Sequence, residues 1–594
     1  MGIGFTIDTP LKVAHFGIDS VIFISDDILL EKLRKMYSEK FEIPYQEITN
    51  KIEDFRAKRI TSYLNLIKTL TEKKIEELIS TTNGVKKYFN LLADNNSIKK
   101  EFKAFTSKVS ETSEIKKWLK RNLPLGDINV NIMTKLDKPN FKKNEQLPIE
   151  YNDAHAALRG FANSDLESSM VFSAGMNPRL FSYIEKFDDF FPDEKGVIKK
   201  KIILKVSDYR SALIQGKFLA KKGVWVSEYR VESGLNCGGH AFATDGFLMG
   251  PILEEFKNNK EELIASVTEV LNAALKNSNR TVPLENLELK ITAQGGVGTA
   301  DEQNFLLEHY KVDSVGWGSP FLLVPEVTNV DKKTLKQLVE AKEDDLYLSG
   351  VSPLGVPFNN LRNSSKDVER NARIDNGKLG SSCPKKFLAL TPTDNGKTIC
   401  TASRKYQDSK IEELNQQKDE LSTKEYKQKF NNITEKSCLC VGLGTSVMML
   451  NNMDRKVEGD AVAICPGPNL AYYSKVKSLQ EMVGHIYGRN NVIERTDRPN
   501  MFVKEIGLYL DYLKGKIEET TGALNRKQEK YFSAFTKNMF EGILYYKSLF
   551  IDLKELSTSV KSNILEELEN SMELLQLLTF EIEKLKMIPV MVKS

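Results

Sequence analysis

Cysteine is scarce in this chain, with six residues among 594, and five of the six lie between Cys383 and Cys465. So few cysteines exclude a disulfide scaffold and favour a reducing compartment. No run of 18 apolar residues occurs, so the sequence predicts no membrane-spanning helix and no membrane partner. The N-terminal MGIGFTIDTPLK has neither the basic start nor the apolar stretch of a secretory signal peptide, and we therefore expect a cytoplasmic protein.

An excess of one charge is also missing, since 85 Lys+Arg face 81 Asp+Glu and the net charge is +4. Lys and Glu are mixed almost everywhere, without the local basic stripe that nucleic-acid binding requires. Apolar residues make up 41% of the chain and charged residues 28%, which is typical of a folded globular protein. The length suggests three or four domains, and no internal repeat is present.

The fold class is predicted from eight segments with strand-like composition, most of them followed by helix-forming sequence. These segments are 1–7, 20–25, 128–134, 169–173, 202–206, 224–229, 289–293 and 314–317. Repeated βα units predict a parallel sheet, and eight units allow it to close into a (β/α)8 TIM barrel. Strand counting alone does not exclude the alternative, an open doubly wound sheet.

Four regions follow from this pattern. The barrel is predicted over 1–25 and 125–327, with a helical insertion at 26–124 after strand two, because apolar residues there recur at helical spacing. Residues 328–475 form an irregular, Cys-containing region, and 476–594 a helical C-terminal region. The C-terminal helices are amphipathic and predict packing on the barrel or on another subunit of a homo-oligomer.

Two glycine turns are the most informative motif. One strand ends in Gly295-Gly296 just before a helix that begins at Thr299 or Ala300, and the next strand ends in a turn with Gly316, Gly318 and Ser319. Glycine lets a backbone approach a ligand closely, and the free N–H groups of a helix start favour a phosphate. In barrels of this kind the loops after strands seven and eight commonly bind phosphate. The alternative is two ordinary tight turns.

The segment EYRVESGLNCGGHAF, residues 228–242, carries a second motif. Its Gly238-Gly239 pair places His240 where a strand end opens onto the mouth of the predicted barrel. A histidine there can act as a general base near neutral pH. The alternative is a structural histidine bonded to the backbone.

These motifs resemble a known family. The run from Cys237 to His240, followed by AQGGVGT and VGWGSPFL, looks like the nitronate monooxygenase (2-nitropropane dioxygenase-like) family. That family consists of FMN-binding TIM barrels and includes flavin-dependent enoyl-acyl-carrier-protein reductases. DTPL at 8–11 and VNI at 130–132 resemble further family segments, so the resemblance covers about 1–25 and 125–327.

The resemblance implies a role for individual residues. His240 matches the catalytic base of the family's Ala-Gly-Gly-His segment, with Cys237 in place of the alanine, and Asn131 matches a flavin-contacting position. The residues that match the phosphate cradle are Gly295, Gly296, Gly316, Gly318 and Ser319. Lys205 on the fifth strand is predicted either to point its charge at the flavin's polar edge or to face solvent.

The resemblance implies an FMN-dependent oxidoreductase in which proton abstraction by His240 is coupled to electron transfer to the flavin. One alternative is a flavin-dependent enoyl-thioester reductase that runs the adjacent step in reverse. Others are a non-catalytic flavin- or phosphate-binding scaffold and a non-flavin barrel enzyme acting on a phosphorylated metabolite. The expected substrate is a small molecule or a thioester, and the sequence does not choose between them.

The clustered cysteines suggest a second cofactor. Cys383, Cys400, Cys438, Cys440 and Cys465 lie in Gly/Pro/Ser-rich segments, and two of them precede proline. Four thiolates suffice for an iron–sulfur cluster or for zinc. An iron–sulfur cluster would suit a flavin enzyme as an electron relay, but the spacing does not distinguish it from zinc or from unligated thiols.

Overall fold

The structure is a computed structural model that describes residues 3–587 except 174, 233, 242–244, 395, 521 and 554–557. Its centre is a seven-stranded sheet in which every strand is parallel to its neighbours and follows them in chain order. The strands are β1 Ser20–Phe23, β2 Ile128–Met133, β3 Ser168–Ser173, β4 Lys200–Val206, β5 Val226–Glu232, β6 Lys290–Gln294 and β7 Ser314–Gly316.

The predicted closed eight-stranded barrel is wrong, because the sheet has seven strands and forms a half-barrel. Of the eight predicted segments, only 1–7 lacks a strand within the described residues. Its backbone bonds elsewhere: the Gly4 N–H donates to the Leu443 carbonyl at 2.9 Å, and the Asn329 N–H donates to the Phe5 carbonyl at 2.8 Å. The doubly wound alternative also fails, since that topology requires a reversal in strand order and this sheet has none.

Five helices connect β1 to β2, and further helices lie between the later strands of the sheet. The connection contains α2 Asp27–Lys40, α3 Phe55–Ser80, α4 Thr82–Leu91, α5 Ser97–Thr106 and α6 Thr112–Asn122. The others in the first half of the chain are α1 Thr9–Val13, α7 Asp153–Ala162, α8 Pro178–Tyr183, α9 Tyr209–Ala220, α10 Met249–Asn277 and α11 Ala300–Glu308. The side chains that cover the outer face of the sheet belong to one large apolar core that includes α3 and α10.

The second half of the chain adds a helical layer and a short antiparallel hairpin, β8 Leu346–Ser349 with β9 Phe358–Leu361. The helices are α12 Lys332–Glu340, α13 Ser365–Asp375, α14 Arg404–Gln416, α15 Thr423–Thr434, α16 Leu439–Leu450, α17 Leu479–Ile486, α18 Met501–Glu518, α19 Arg526–Asp552 and α20 Thr558–Lys586. Two-residue strand pairs join Phe141–Lys142 to Glu145–Gln146 and Thr391–Pro392 to Thr398–Ile399. Single 3-10 turns occur at Ala14–Phe16, Ile149–Tyr151, Ile184–Lys186, Asp188–Phe190, Ser319–Leu323, Glu343–Asp345, Lys418–Glu420 and Pro468–Tyr472.

The C-terminal helices pack on helix α10. The sequence predicted that they pack either on the barrel or on a second subunit. The carboxylate of buried Glu505 accepts the Met249 N–H at 3.0 Å, and the Tyr546 hydroxyl accepts the Gly250 N–H at 2.8 Å. These bonds pair buried amides at a helix start with groups from a distant part of the chain. In the described ranges no single helix is long and apolar enough to cross a membrane, although the bent pair α15 and α16 meets that test on length and composition.

Candidate functional site

The loop that follows β5 carries His240 and is fixed in place by Asn236. The Asn236 side-chain oxygen accepts the Gly238 N–H at 3.0 Å and the Asn359 side-chain NH₂ at 2.8 Å. The Asn236 NH₂ donates in turn to the His240 carbonyl at 3.0 Å. One buried amide therefore ties the Gly-Gly turn, the histidine and strand β9 together.

The imidazole of His240 contacts Ser352 and Phe358. Its Nε2 lies 2.6 Å from the Oγ of Ser352, which is fully buried, and its ring packs edge-on against Phe358 with centroids 5.0 Å apart. Burial, reinforced by the positive charge of Lys135, lowers the pKa of His240 from 6.5 to about 4. The imidazole is consequently neutral at pH 7 and can accept a proton.

A cavity of about 340 Å³ lies over His240 at the carboxyl ends of the strands. Five residues predicted for the flavin site line it, namely Asn131, Lys205, Gly238, Gly239 and His240. Apolar side chains, among them Met133, Leu136, Phe358 and Leu443, form much of the remaining wall. Its size falls at the small end of the range for ligand pockets, and mostly apolar walls with a few polar groups are typical of such sites.

Two of the predicted polar residues are already engaged within the protein. The Nζ of Lys205 forms an ion pair with Glu232 at 2.5 Å, and Gln294 donates to the same carboxylate at 2.8 Å. The side-chain oxygen of Asn131 accepts the Ser173 hydroxyl at 3.0 Å. Lys205 therefore presents a compensated charge to the cavity.

The two glycine turns lie at the same end of the sheet, against the loop of residues 235–239. An ideal Cβ on Gly295 would lie 2.6 Å from the Leu235 carbonyl oxygen, and one on Gly318 would lie 2.5 Å from the Cβ of Cys237. Gly295 also has a φ of +99°, in the left-handed region. Glycine is required here because three segments of backbone meet.

Four backbone N–H groups in these turns have no acceptor among the described residues. They belong to Gly296 and Val297 after β6 and to Gly318 and Ser319 after β7, and all four residues are buried. Buried amides are almost always paired, so these four donors call for an acceptor from a ligand or from water. A phosphate group offers such acceptors.

The Gly298 N–H that precedes helix α11 and the Ser319 hydroxyl are engaged within the protein. The Glu302 carboxylate accepts the Gly298 N–H at 2.8 Å and forms an ion pair with Arg498 at 2.7 Å. The Ser319 Oγ accepts the Gly467 N–H at 2.7 Å and donates to the Cys237 carbonyl at 3.0 Å. The available donors are therefore the turn amides.

A second cavity, of about 960 Å³, lies inside the half-barrel and reaches Gly316 and Gly318. It shares several lining residues with the smaller cavity, namely Phe23, Asn131, Lys205, Glu232 and Gly238. The space over His240 and the space beside the glycine turns therefore meet at the strand ends. The residues present fit FMN in part: the smaller cavity offers walls for a flat ring, and Gly318, one of the four turn residues, lines the larger cavity and offers its N–H to a phosphate. Gly296, Val297 and Ser319 line neither cavity.

The cysteine cluster is only partly assembled. The neighbouring Cys400 raises the pKa of Cys383 to about 11, and Cys440 and Cys465 line the smaller cavity. All six cysteines are free thiols, and the described part of the chain contains no group of three or more His, Cys, Asp or Glu arranged to hold a metal ion. The iron–sulfur cluster stays a prediction.

The fold and the site define an α/β protein with a half-barrel of parallel strands and a histidine-bearing cavity at their carboxyl ends. No protein-family profile and no curated protein matches the chain. Among solved structures, the chain is similar to the enoyl reductase domain of MlnA from the macrolactin biosynthesis cluster of Bacillus amyloliquefaciens. The two are 14% identical with a TM-score of 0.34, over 66% of this chain and 86% of that one. A TM-score of this size does not establish a common fold.

Replacing Ser352 with alanine tests whether this hydroxyl positions His240. We expect kcat to fall about fivefold with KM little changed, because a net hydrogen bond contributes about 1 kcal/mol and about 1.4 kcal/mol is tenfold in rate. Ser352→Thr keeps the hydroxyl and should restore most of the turnover. Equal turnover in the alanine variant and the unaltered protein would exclude the positioning role.

Proposed function

We propose that the protein is an FMN-dependent oxidoreductase in which His240 accepts a proton from a substrate carbon next to an activating group. The observation that carries the proposal is a neutral, oriented imidazole in a cavity that shares lining residues with a second cavity reaching Gly316 and Gly318. A general base must be unprotonated at the working pH and within reach of the substrate. His240 meets the first condition at neutral pH and borders the space available for the second.

The roles of the chain's own residues follow from their contacts. Ser352 holds the Nε2 of His240, and the apolar cavity wall excludes water from the proton transfer. Lys135 lines the same cavity, where its ammonium can stabilise the anion left by deprotonation. The turn amide of Gly318 would donate to the FMN phosphate, and Asn131, which lines both cavities, would face the ring. FMN, when bound, supplies the electron acceptor.

A second candidate is the reductase direction, in which an enoyl thioester gains hydrogen. Lys135 favours it, because an ammonium beside the cavity can stabilise an enolate oxygen and supply a proton. His240 does not favour it, because its lowered pKa leaves almost no imidazolium at neutral pH to donate a proton. Turnover of a nitronate or of an enoyl thioester by the same preparation would distinguish the two directions.

The proposal is tested by isolating the full-length protein and analysing the small molecules it retains. We expect FMN to be released on denaturation, and stripped protein to regain FMN from solution. A preparation that stays colourless after incubation with FMN would contradict the proposal. Bound FMN that neither an electron donor nor a substrate can reduce would instead indicate the non-catalytic scaffold.

A further inference from the structure

The C-terminal helix pair, α19 and α20, has an apolar outer face that is exposed to solvent. Six large side chains on this outer face expose between 40% and 64% of their surface, namely Phe540, Leu544, Ile551, Leu574, Leu577 and Phe580. The inner sides of both helices belong to the large apolar core of the protein. Six half-exposed side chains of this size present about 600 Å² of mostly apolar surface, the upper end of what a monomer exposes, and such patches mark interaction sites.

The two helices run antiparallel in a fixed register. Helix α20 begins beside the end of α19, where the Nζ of Lys561 donates to the Leu553 carbonyl at 3.0 Å. Farther along the pair, Lys547 of α19 forms an ion pair with Glu569 of α20, and both side chains are partly exposed. This ion pair therefore lies where the exposed sides of the two helices adjoin, and the apolar side chains form one face.

Charge is distributed unevenly along the helix pair. Residues 526–537, at the start of α19, contain four Lys or Arg and one Glu, whereas residues 558–573, at the start of α20, contain one Lys and four Glu. Because the helices are antiparallel, these two segments lie towards opposite ends of the pair. One end of the outer face is therefore basic and the other is acidic.

Apolar side chains lie midway between the two charged ends. At a rise of about 1.5 Å per residue, Lys527 lies about 30 Å from the ion pair between the helices, and Glu566 lies about 5 Å from it in the other direction. The midpoint between these two charges is about 13 Å from the ion pair, on the basic side. Phe540 and Leu577 lie about 11 and 12 Å from the ion pair on that side, so they are level with the midpoint.

The geometry points to a second copy of this chain as the occupant of the outer face, with a two-fold axis near Phe540 and Leu577. This rotation lays the two helix pairs antiparallel, so that apolar side chains meet at the centre and each basic end meets an acidic end. Lys527 then lies opposite the partner subunit's Glu566. Two helices about 40 Å long and about 10 Å wide give a face of about 800 Å², the area that each partner of a standard interface buries.

The experiment measures the mass of the full-length protein by sedimentation and light scattering over a range of micromolar concentrations. We expect twice the chain mass of 67.3 kDa. Leu577→Glu combined with Phe580→Glu should give a monomer, because carboxylates from both copies would enter the apolar centre of the interface. Both side chains are more than half exposed, so this variant should melt like the unaltered protein. The control Leu284→Glu, at an exposed residue before β6, should remain a dimer.

Charge reversal tests the antiparallel arrangement. Lys527→Glu should raise the Kd of the dimer about fivefold at low salt, because two like-charge contacts replace two exposed ion pairs in each dimer. Adding Glu566→Lys to that variant should restore the affinity.

The proposal is overturned by a monomer at every concentration or by a dimer that the Leu577→Glu and Phe580→Glu variant leaves intact. It is equally overturned if Lys527→Glu has no effect or if Glu566→Lys does not compensate for it. The measured quantity is mass and not turnover, so the result does not depend on whether the protein binds FMN.

Discussion

Replacing His240 with glutamine is expected to lower kcat by about 10²–10⁴-fold, the usual contribution of a general base, while FMN content stays unchanged. Glutamine keeps hydrogen-bonding capacity towards Ser352, which lies 2.6 Å from Nε2, but it cannot accept a proton at neutral pH. The loss should appear in kcat and kcat/KM together, because proton abstraction stabilises the transition state and not the bound substrate.

The matched control is His309→Gln. His309 follows helix α11, lines neither cavity, and places its Nε2 3.7 Å from a carboxylate oxygen of Glu254. Its replacement should leave turnover unchanged. Equal turnover in the two glutamine variants would contradict the assignment of His240, and lost FMN in the His240 variant would show a binding role instead.

The pH dependence of kcat/KM is a second test of the role of His240. The active form of the base is neutral, and the pKa of His240 is lowered to about 4, chiefly by burial. The base is therefore available above pH 4, and kcat/KM should fall only as the pH drops through that value. A histidine with an ordinary pKa of about 6.5 would already lose activity between pH 7 and 6. A profile that falls in that higher range would contradict the buried, neutral His240.

Seven of the eight predicted strand segments occur as strands in the sheet. The segment 1–7 does not, and without an eighth strand the sheet is a half-barrel instead of a closed barrel. Residues 3–7 have the apolar, glycine-containing composition of a short strand end, and periodicity cannot assign so short a run. Their conformation depends on partners 56 to more than 400 residues away: Tyr63 donates its hydroxyl to the Ile7 carbonyl at 2.9 Å, and Leu443 accepts the Gly4 N–H. Local sequence patterns do not indicate such distant partners.

The candidate site also contains residues that could be predicted from the sequence and residues that could not. His240, Gly238 and Gly239 could be predicted because residues at the carboxyl ends of parallel strands converge at one edge of a sheet. Ser352 and the ion pair of Glu302 with Arg498 could not be predicted, since 112 residues separate Ser352 from His240 and 196 separate the paired charges. Only the fold brings them together. The sequence did contain one indication: Glu302 follows Thr299 by three residues, and this spacing is typical of a capped helix start.

Replacing Gly238 with alanine is expected to cost about 3 kcal/mol or more in stability and to abolish FMN retention. The new methyl group would lie 2.0 Å from the Cys465 carbonyl oxygen, a backbone atom that moves only if its whole segment moves. Gly238 also has a φ of +105°, a conformation that costs an alanine about 1–3 kcal/mol. Overpacking against a fixed backbone adds about 1–3 kcal/mol.

Gly239 provides the control in the adjacent position. Its φ of +85° imposes similar backbone strain, but beyond its chain neighbours no atom of the described residues lies within 4 Å of an ideal Cβ there. Gly239→Ala should therefore cost only about 1–2 kcal/mol of stability.

The melting midpoints and the FMN content of the Gly238→Ala and Gly239→Ala variants are measured side by side. The difference between them separates the effect of the contact with Cys465 from the effect of backbone strain. If the Gly238 variant lost FMN while melting like the Gly239 variant, the loop would act on the cofactor directly. Equal melting and equal FMN content would mean that the approach of residue 238 to Cys465 does not shape the site.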